Sequence, residues 1–271
     1  MLDTTIGFIG AGNMAGSIIG GLIHRGQAAN TVFASDLDSA KLEALAAQTG
    51  IGAATNAQIA AQADVIVLAV KPQVMAPVCI DLAESIGDRR PLIVSIAAGI
   101  TLDALQQWFG DGAALVRCMP NTPALVGSGA SGLFANSAVS AEQKEIANGL
   151  LAAVGISLWV ESEADIDSVT ALSGSGPAYF FLLMEAMQES AVNMGLDPET
   201  AKALTYQTAL GAAQLALASD ESTAQLRRNV TSPNGTTERA LNHFEAGGLR
   251  DLVDGALQAA RARSIELAKE I

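Results

Sequence analysis

The chain has 271 residues, long for one domain and comfortable for two. A net charge of −13, from 15 basic and 28 acidic residues, argues against broad attraction to nucleic acid or an anionic membrane, so any anionic ligand must be held locally, by backbone N–H groups. Two cysteines (Cys79, Cys118) and two histidines are too few for a disulfide framework or a zinc site; with no basic leader and no unbroken apolar span, neither export signal nor membrane anchor is expected, and a cytoplasmic compartment fits.

From Ile6 to about Val160, short aliphatic runs alternate with helical stretches. Ile6 to Ile9, Val32 to Ser35, Val65 to Val70, Leu92 to Ile96 and Leu115 to Met119 read as strands, each almost continuously apolar. Strands buried on both faces look like this, so the pattern predicts an α/β fold with a Rossmann-like, doubly wound, mostly parallel sheet over residues 1–161. The first strand runs into Gly10-Ala-Gly12-Asn-Met-Ala15 and then a helix. In that setting Gly10 permits the tight turn, Gly12 lets the backbone approach a pyrophosphate and Ala15 lets the helix pack on the strand. Ile9, Gly10, Ala11, Gly12, Asn13 and Met14 are therefore expected to bind a dinucleotide, with the helix N-terminus at its phosphates.

The second strand ends at Ser35 and Asp36, where a carboxylate would accept hydrogen bonds from the adenosine ribose and repel a 2′-phosphate, which favours NADH; Ser35 leaves NADPH open. The lesser alternative is that Asp36 caps the following helix. Ala69, Val70, Lys71 and Pro72 end the third strand at the edge where ligands collect; Lys71 suits either a phosphate contact or a surface cation. Ala97 and Ala98, and Asn121 within Met119-Pro-Asn-Thr-Pro123, end the next two strands on the same edge. Their small or rigid residues suit packing against a nicotinamide, as they suit an ordinary turn.

After Glu161 the character changes. Asp165 to Met194, Pro198 to Ala218, Glu221 to Asn229, Thr236 to Ala246 and Leu249 to Glu270 read as helices, with Pro198 in a favoured first turn and Gly195 and Gly247 as stops. Residues 162–271 thus form an all-helical domain, richer in Ala and Leu than one small domain needs, which predicts packing against a second subunit. Leu172 to Tyr179 is Gly-rich and reads either as a ligand-facing helix start or as a hinge. Val230-Thr-Ser232-Pro-Asn-Gly235-Thr236-Thr237-Glu238 opens into a helix: N–H groups at Gly235, Thr236 and Thr237, with the Ser232 and Thr237 hydroxyls, make a carboxylate site needing no basic side chain, although plain N-capping by Asn234 or Gly235 reads equally well. His24 and His243 lie within helices and read as structural or solvent-facing.

Together these segments resemble the pyrroline-5-carboxylate reductase family over almost the whole chain. The resemblance rests on Gly7-Phe-Ile-Gly-Ala-Gly-Asn-Met-Ala15, Ala69-Val-Lys-Pro72, Arg117-Cys-Met-Pro-Asn-Thr-Pro123, Leu172-Ser-Gly-Ser-Gly-Pro-Ala-Tyr179 and Asn229-Val-Thr-Ser-Pro-Asn-Gly-Thr-Thr237. It implies reduction of 1-pyrroline-5-carboxylate to L-proline by hydride transfer from NADPH or NADH, the last step of proline biosynthesis. It also implies a helical domain interlocked between two subunits of a homodimer, within a larger ring in many members. Ser232, Gly235 and Thr236 would hold the substrate carboxylate, the Thr237 hydroxyl would contact the imine nitrogen as the catalytic residue, and Asn56 would lie near the adenine-side ribose. Asp36 stands where some members carry a second serine, and Asn234 where glycine is frequent; the latter is tolerable because Asn accepts unusual backbone angles.

Two other readings compete. A 3-hydroxyacid dehydrogenase-like oxidoreductase shares the Gly-Phe-Ile-Gly start, but that family places a lysine on the first long helix of its second domain, and Phe180 to Val192 contains none. A non-catalytic dinucleotide-sensing protein would keep the fold and lose turnover.

Overall fold

The computed structural model describes residues 4–270. Eight strands form one sheet: β1 (Ile6–Ile9), β2 (Val32–Ser35), β3 (Gly52–Ala53), β4 (Val65–Leu68), β5 (Leu92–Ser95), β6 (Ala114–Met119), β7 (Gly129–Ala135) and β8 (Gly155–Trp159). Their order is β3-β2-β1-β4-β5-β6-β7-β8. The pairings from β3 to β6 are parallel, β7 runs antiparallel to β6, and β8 is parallel to β7. The order reverses between β1 and β4, so their loops diverge there and leave the crevice in which doubly wound sheets bind ligands.

The expected burial on both faces is observed. Ile6, Phe8, Val65 and Val67 belong to one core, with Ala15, Ile18 and Leu22 of α1 (Asn13–His24). Ile9, Ile66 and Leu68 point to the other, with Ile59 of α3 (Asn56–Gln62) and Leu82 of α4 (Met75–Ile86). Helix α2 (Ser39–Thr49) adds Leu42 to the first core, α5 (Leu102–Phe109) adds Leu105 to the second, and α6 (Ala141–Ala152) adds Leu150 to the first.

Strands β3, β7 and β8 were not expected from the sequence. β3 has only two residues, and β7 is Gly-Ala-Ser-Gly-Leu-Phe-Ala, poor in strand formers. Its glycines serve close packing: a Cβ at Gly132 would fall 2.7 Å from the Val169 side chain, and one at Gly129 would fall 2.9 Å from the Val154 carbonyl. Val169 ends α7 (Asp165–Val169), which packs on β7.

The described residues form two compact units, one running to Ser175 and including the segment from Ala259, the other spanning Gly176–Gln258. The first extends past β8 because Arg117 of β6, only 4% exposed at its side chain, pairs with Glu163 at 3.0 Å and with Asp167 at 3.6 Å. Glu163 also accepts the Leu102 N–H at 2.8 Å, and Asp167 accepts the Ser264 hydroxyl at 2.7 Å.

The stretch expected as one helix from Asp165 to Met194 is instead divided, with Ser175 outside any helix. α7 passes into a π-helical turn, Thr170–Gly174, before α8 (Gly176–Asn193). α9 (Pro198–Ala218) begins, as expected, with Pro198 in its first turn, behind an Asp197 cap. α10 (Thr223–Asn229), α11 (Thr236–Ala246) and α12 (Leu249–Leu267) follow. The second unit leaves Phe180, Phe181 and Leu182 of α8 and Leu217 of α9 more than 60% exposed. None of the described helices is long and apolar enough to cross a membrane.

Candidate active site

The carboxyl ends of β1, β2, β4 and β5 bring most of the expected dinucleotide residues to one edge of the sheet. Gly10 has φ +101°, and a Cβ there would lie 2.8 Å from the Ala69 carbonyl oxygen, so the turn after β1 rests directly on the chain leaving β4. Gly12 is the N-cap of α1 in extended conformation, with no side chain capping the helix and nothing within 4 Å of an added Cβ. The first-turn N–H groups of α1 therefore point outward, uncapped, at the positive end of a helix dipole. Ala15 is fully buried beneath them.

Asp36 does not cap the next helix; Asp38 does, accepting the Lys41 N–H at 3.1 Å. Asp36 instead faces the glycine loop, with Oδ2 accepting the Ala11 N–H at 2.7 Å and Oδ1 accepting the Asp38 N–H at 3.0 Å. Partial burial opposes its ionisation, but the backbone N–H donors of Asp38 and Ala11 and the charge of Lys41 outweigh this and hold its carboxyl below the usual value. Beside it the Ser35 hydroxyl donates to Asn56 Oδ1 at 2.6 Å, which joins the two residues expected near the ribose.

Ala69 is fixed by donating its N–H to the Ile9 carbonyl at 2.8 Å; Lys71 is exposed and precedes a short 3-10 turn that begins at Pro72. Ala97 is buried and Ala98 exposed, in the loop after β5. Asn121 is 8% exposed and its amide is committed at both ends: Nδ2 donates to the Ser173 carbonyl at 3.0 Å and Oδ1 accepts the Ala130 N–H at 2.8 Å. It anchors the Pro-Asn-Thr-Pro turn to the π-helical turn, and Gly174 in that turn lies where a Cβ would meet Met119 Cε at 2.6 Å.

The second expected site lies wholly in the other unit. Among the described residues Asn234 is the one non-glycine residue with positive φ, at 59°, in keeping with asparagine's tolerance of that region. Its N–H donates to Glu238 Oε2 at 2.7 Å, while the Gly235 N–H, expected to be free for a ligand, donates to the Ser232 carbonyl at 3.0 Å. A Cβ at Gly235 would stand 3.0 Å from that same carbonyl. Gly235 is the N-cap of α11, again without a side-chain cap, which leaves the N–H groups of Thr236 and Thr237 outward at a second helix dipole. Asn234, Gly235 and Thr236 line an open groove of about 690 Å³ with Arg239, Ala240, His243 and Phe244; Ser232 and Thr237 are exposed beside it. Arg239 was not singled out from the sequence; its place three residues after Thr236, on the same helix face, was the available signal.

Neither thiol competes for a chemical role. Burial pushes Cys79 up to about 12, and burial raises Cys118 despite an opposing hydrogen bond with Ser131. Among the described residues no group of three or more His, Cys, Asp or Glu could hold a metal ion.

Residues 163–267 match the family described as pyrroline-5-carboxylate reductase dimerisation, and residues 5–99 match that described as NADP oxidoreductase, coenzyme F420-dependent. The chain is 55% identical to a pyrroline-5-carboxylate reductase of Pseudomonas aeruginosa, over 100% of this chain and 99% of the relative. A solved pyrroline-5-carboxylate reductase from Coxiella burnetii superposes with TM-score 0.95 at 46% identity, covering 98% of this chain and 99% of the other. A pyrroline carboxylate reductase from Plasmodium falciparum, solved with NADP bound, gives TM-score 0.87 at 29% identity, covering 99% of each chain.

Proposed function

Because the chain belongs to the pyrroline-5-carboxylate reductase family, we infer that it is an NAD(P)H-dependent oxidoreductase that reduces 1-pyrroline-5-carboxylate to L-proline. The observation that carries this reading is the pair of uncapped helix N-termini, one in each unit: the α1 terminus suits a pyrophosphate and the α11 terminus a small carboxylate. The cleft suits a dinucleotide on two further counts, the glycine contact between β1 and β4 and the open approach at Gly12.

In this reading Ile9 to Met14, Ser35, Asp36, Asn56, Ala69 to Pro72, Ala97 and Ala98 hold the dinucleotide, and Asn121 acts by fixing the turn beside it. A bound nicotinamide supplies the hydride. The chain supplies orientation: the N–H groups of Thr236 and Thr237 and the Ser232 hydroxyl hold the carboxylate, and Gly235 keeps the cap narrow. The Thr237 hydroxyl accepts the hydrogen bond of the protonated imine nitrogen. That imine is already electrophilic, so placing it accounts for most of what the residues must do. Hydride addition to the ring carbon turns C=N into C–N, and the amine nitrogen takes a further proton from water.

Residues 1–161 serve the dinucleotide and 162–271 the substrate and the subunit contact. The exposed apolar side chains of α8 and α9 support a homodimer through the helical half, and mass photometry distinguishes one dimer from a ring of dimers. The two buried free thiols suit a cytoplasmic location.

The deciding experiment follows nicotinamide absorbance with purified protein and 1-pyrroline-5-carboxylate, with NADPH and NADH in parallel. Substrate-dependent oxidation is expected; none with either cofactor, in protein that binds dinucleotide, points to the sensor reading instead. NADH is expected to be preferred, because the ionised Asp36 stands beside the ribose position. Asp36→Ser should move the ratio of kcat/KM toward NADPH by about tenfold, since juxtaposed like charges cost one to several kcal/mol; an unmoved ratio would remove Asp36 from cofactor selection. Thr237→Ala should lower kcat by about tenfold or more with dinucleotide affinity unchanged, the loss expected for one hydrogen bond to a charged group. Wild-type turnover in that variant would remove Thr237 from the mechanism.

A further inference from the structure

We infer that Arg239 is a specificity-determining residue that selects for the carboxylate of the substrate, an inference that rests on the reductase reading above. Thr236, Arg239, Ala240 and His243 share one face of α11 and line the groove of about 690 Å³ that runs from the carboxylate loop. The uncapped N–H groups give direction to a bound carboxylate, but their partial charge fades within one helical turn. A full charge reaches further, about 10 Å at moderate salt.

Arg239 is the one arginine or lysine among the described residues that line this groove. The protein as a whole carries −13 and repels anions. Within the same unit, Arg227 and Arg250 share the one carboxylate of Glu245, at 3.6 Å and 2.9 Å, and neither lines the groove. The Arg228 guanidinium keeps its charge, donating to the neutral Gln225 amide oxygen, and it too is not among the residues that line the groove. The acidic side chain nearest in sequence, Glu238, is turned back onto the Asn234 N–H at 2.7 Å and does not pair with Arg239. Arg239 thus lines the groove without a carboxylate partner among the described residues, a few ångströms along the helix from the N–H groups that orient the same ligand group.

The test compares initial rates of full-length wild type, Arg239→Gln and Arg239→Lys at saturating dinucleotide. Two substrates are used: 1-pyrroline-5-carboxylate, and 1-pyrroline, which has the ring imine but no carboxylate. Arg239→Gln is expected to raise KM for the carboxylate substrate by about fivefold to tenfold at low salt, with kcat and dinucleotide affinity within about twofold of wild type. Arg239→Lys should restore most of the KM. With 1-pyrroline, wild type and Arg239→Gln should be alike. Raising the salt from about 0.05 M to about 0.5 M should lift the wild-type KM toward that of the variant, whose own KM stays flat. Should Arg239→Gln fail to fold, the lysine variant and the wild-type salt series decide the matter alone. Wild-type turnover with an unshifted KM in Arg239→Gln, or an equal shift with 1-pyrroline, would overturn the inference and leave the reductase intact. Absence of any wild-type turnover would overturn the reductase reading, and this inference with it.

Discussion

Gly12→Ala is expected to weaken dinucleotide binding by on the order of 100-fold while leaving the melting temperature unchanged, because the two glycines of the cofactor loop do separate work. An added methyl at Gly12 meets nothing within 4 Å, and its φ of −68° is ordinary for alanine, so the free protein should fold normally. The methyl would instead stand where the pyrophosphate must approach the α1 terminus. Gly10→Ala should fail differently. Its Cβ would lie 2.8 Å and 2.9 Å from the Ala69 carbonyl, which is backbone and cannot rotate away, at a φ of +101° that costs a further 1–3 kcal/mol or so. That variant should lose stability as well as affinity. Fluorescence titration with dinucleotide, alongside calorimetric melting of both variants, separates the two effects; unchanged affinity in Gly12→Ala would mean that the phosphates do not sit at this terminus.

Arg117→Met is expected to lower the unfolding free energy by about 3–5 kcal/mol, the usual loss when one partner of a buried ion pair is removed. Arg117 is almost wholly buried, and Glu163 and Asp167 are 26% and 14% exposed, so screening by water is limited on all three. Methionine fills much of the volume but leaves two carboxylates facing an apolar side chain. The damage should spread, because Glu163 also caps the Leu102 N–H and Asp167 holds Ser264 near the C-terminus. Urea unfolding measures the effect, and a loss below about 1 kcal/mol would show that solvent reaches the two carboxylates once the arginine is gone. The glycine substitutions act on a turn, where shape decides, whereas this one acts on charge balance inside the molecule.

Much of this protein is determined by the sequence alone. Five strands are legible because burial on both faces leaves no polar position in a run such as Val65-Ile-Val-Leu68, and the loop between β1 and α1 is legible because turn and close approach each demand a particular small residue. The α11 terminus could be placed from Pro233, Asn234 and Gly235, although capping and ligand binding use the same residues and so could not be told apart there. Only the tertiary structure decided the rest. β7 is built of residues that favour no particular element, and becomes a strand because Val169 and Val154 pack where side chains would otherwise stand. Asp36 could be read as a helix cap until its carboxylate was found on Ala11, and Asn121 as a ligand contact until both ends of its amide were found on backbone partners. Arg239 carries only its helical spacing from Thr236 as a local signal: what marks it is a place on the groove with no carboxylate paired to it among the described residues, and that depends on which way side chains such as Glu238 have turned. Local periodicity reports which face of an element is apolar; which polar atom meets which is a three-dimensional fact, fixed only when distant segments arrive.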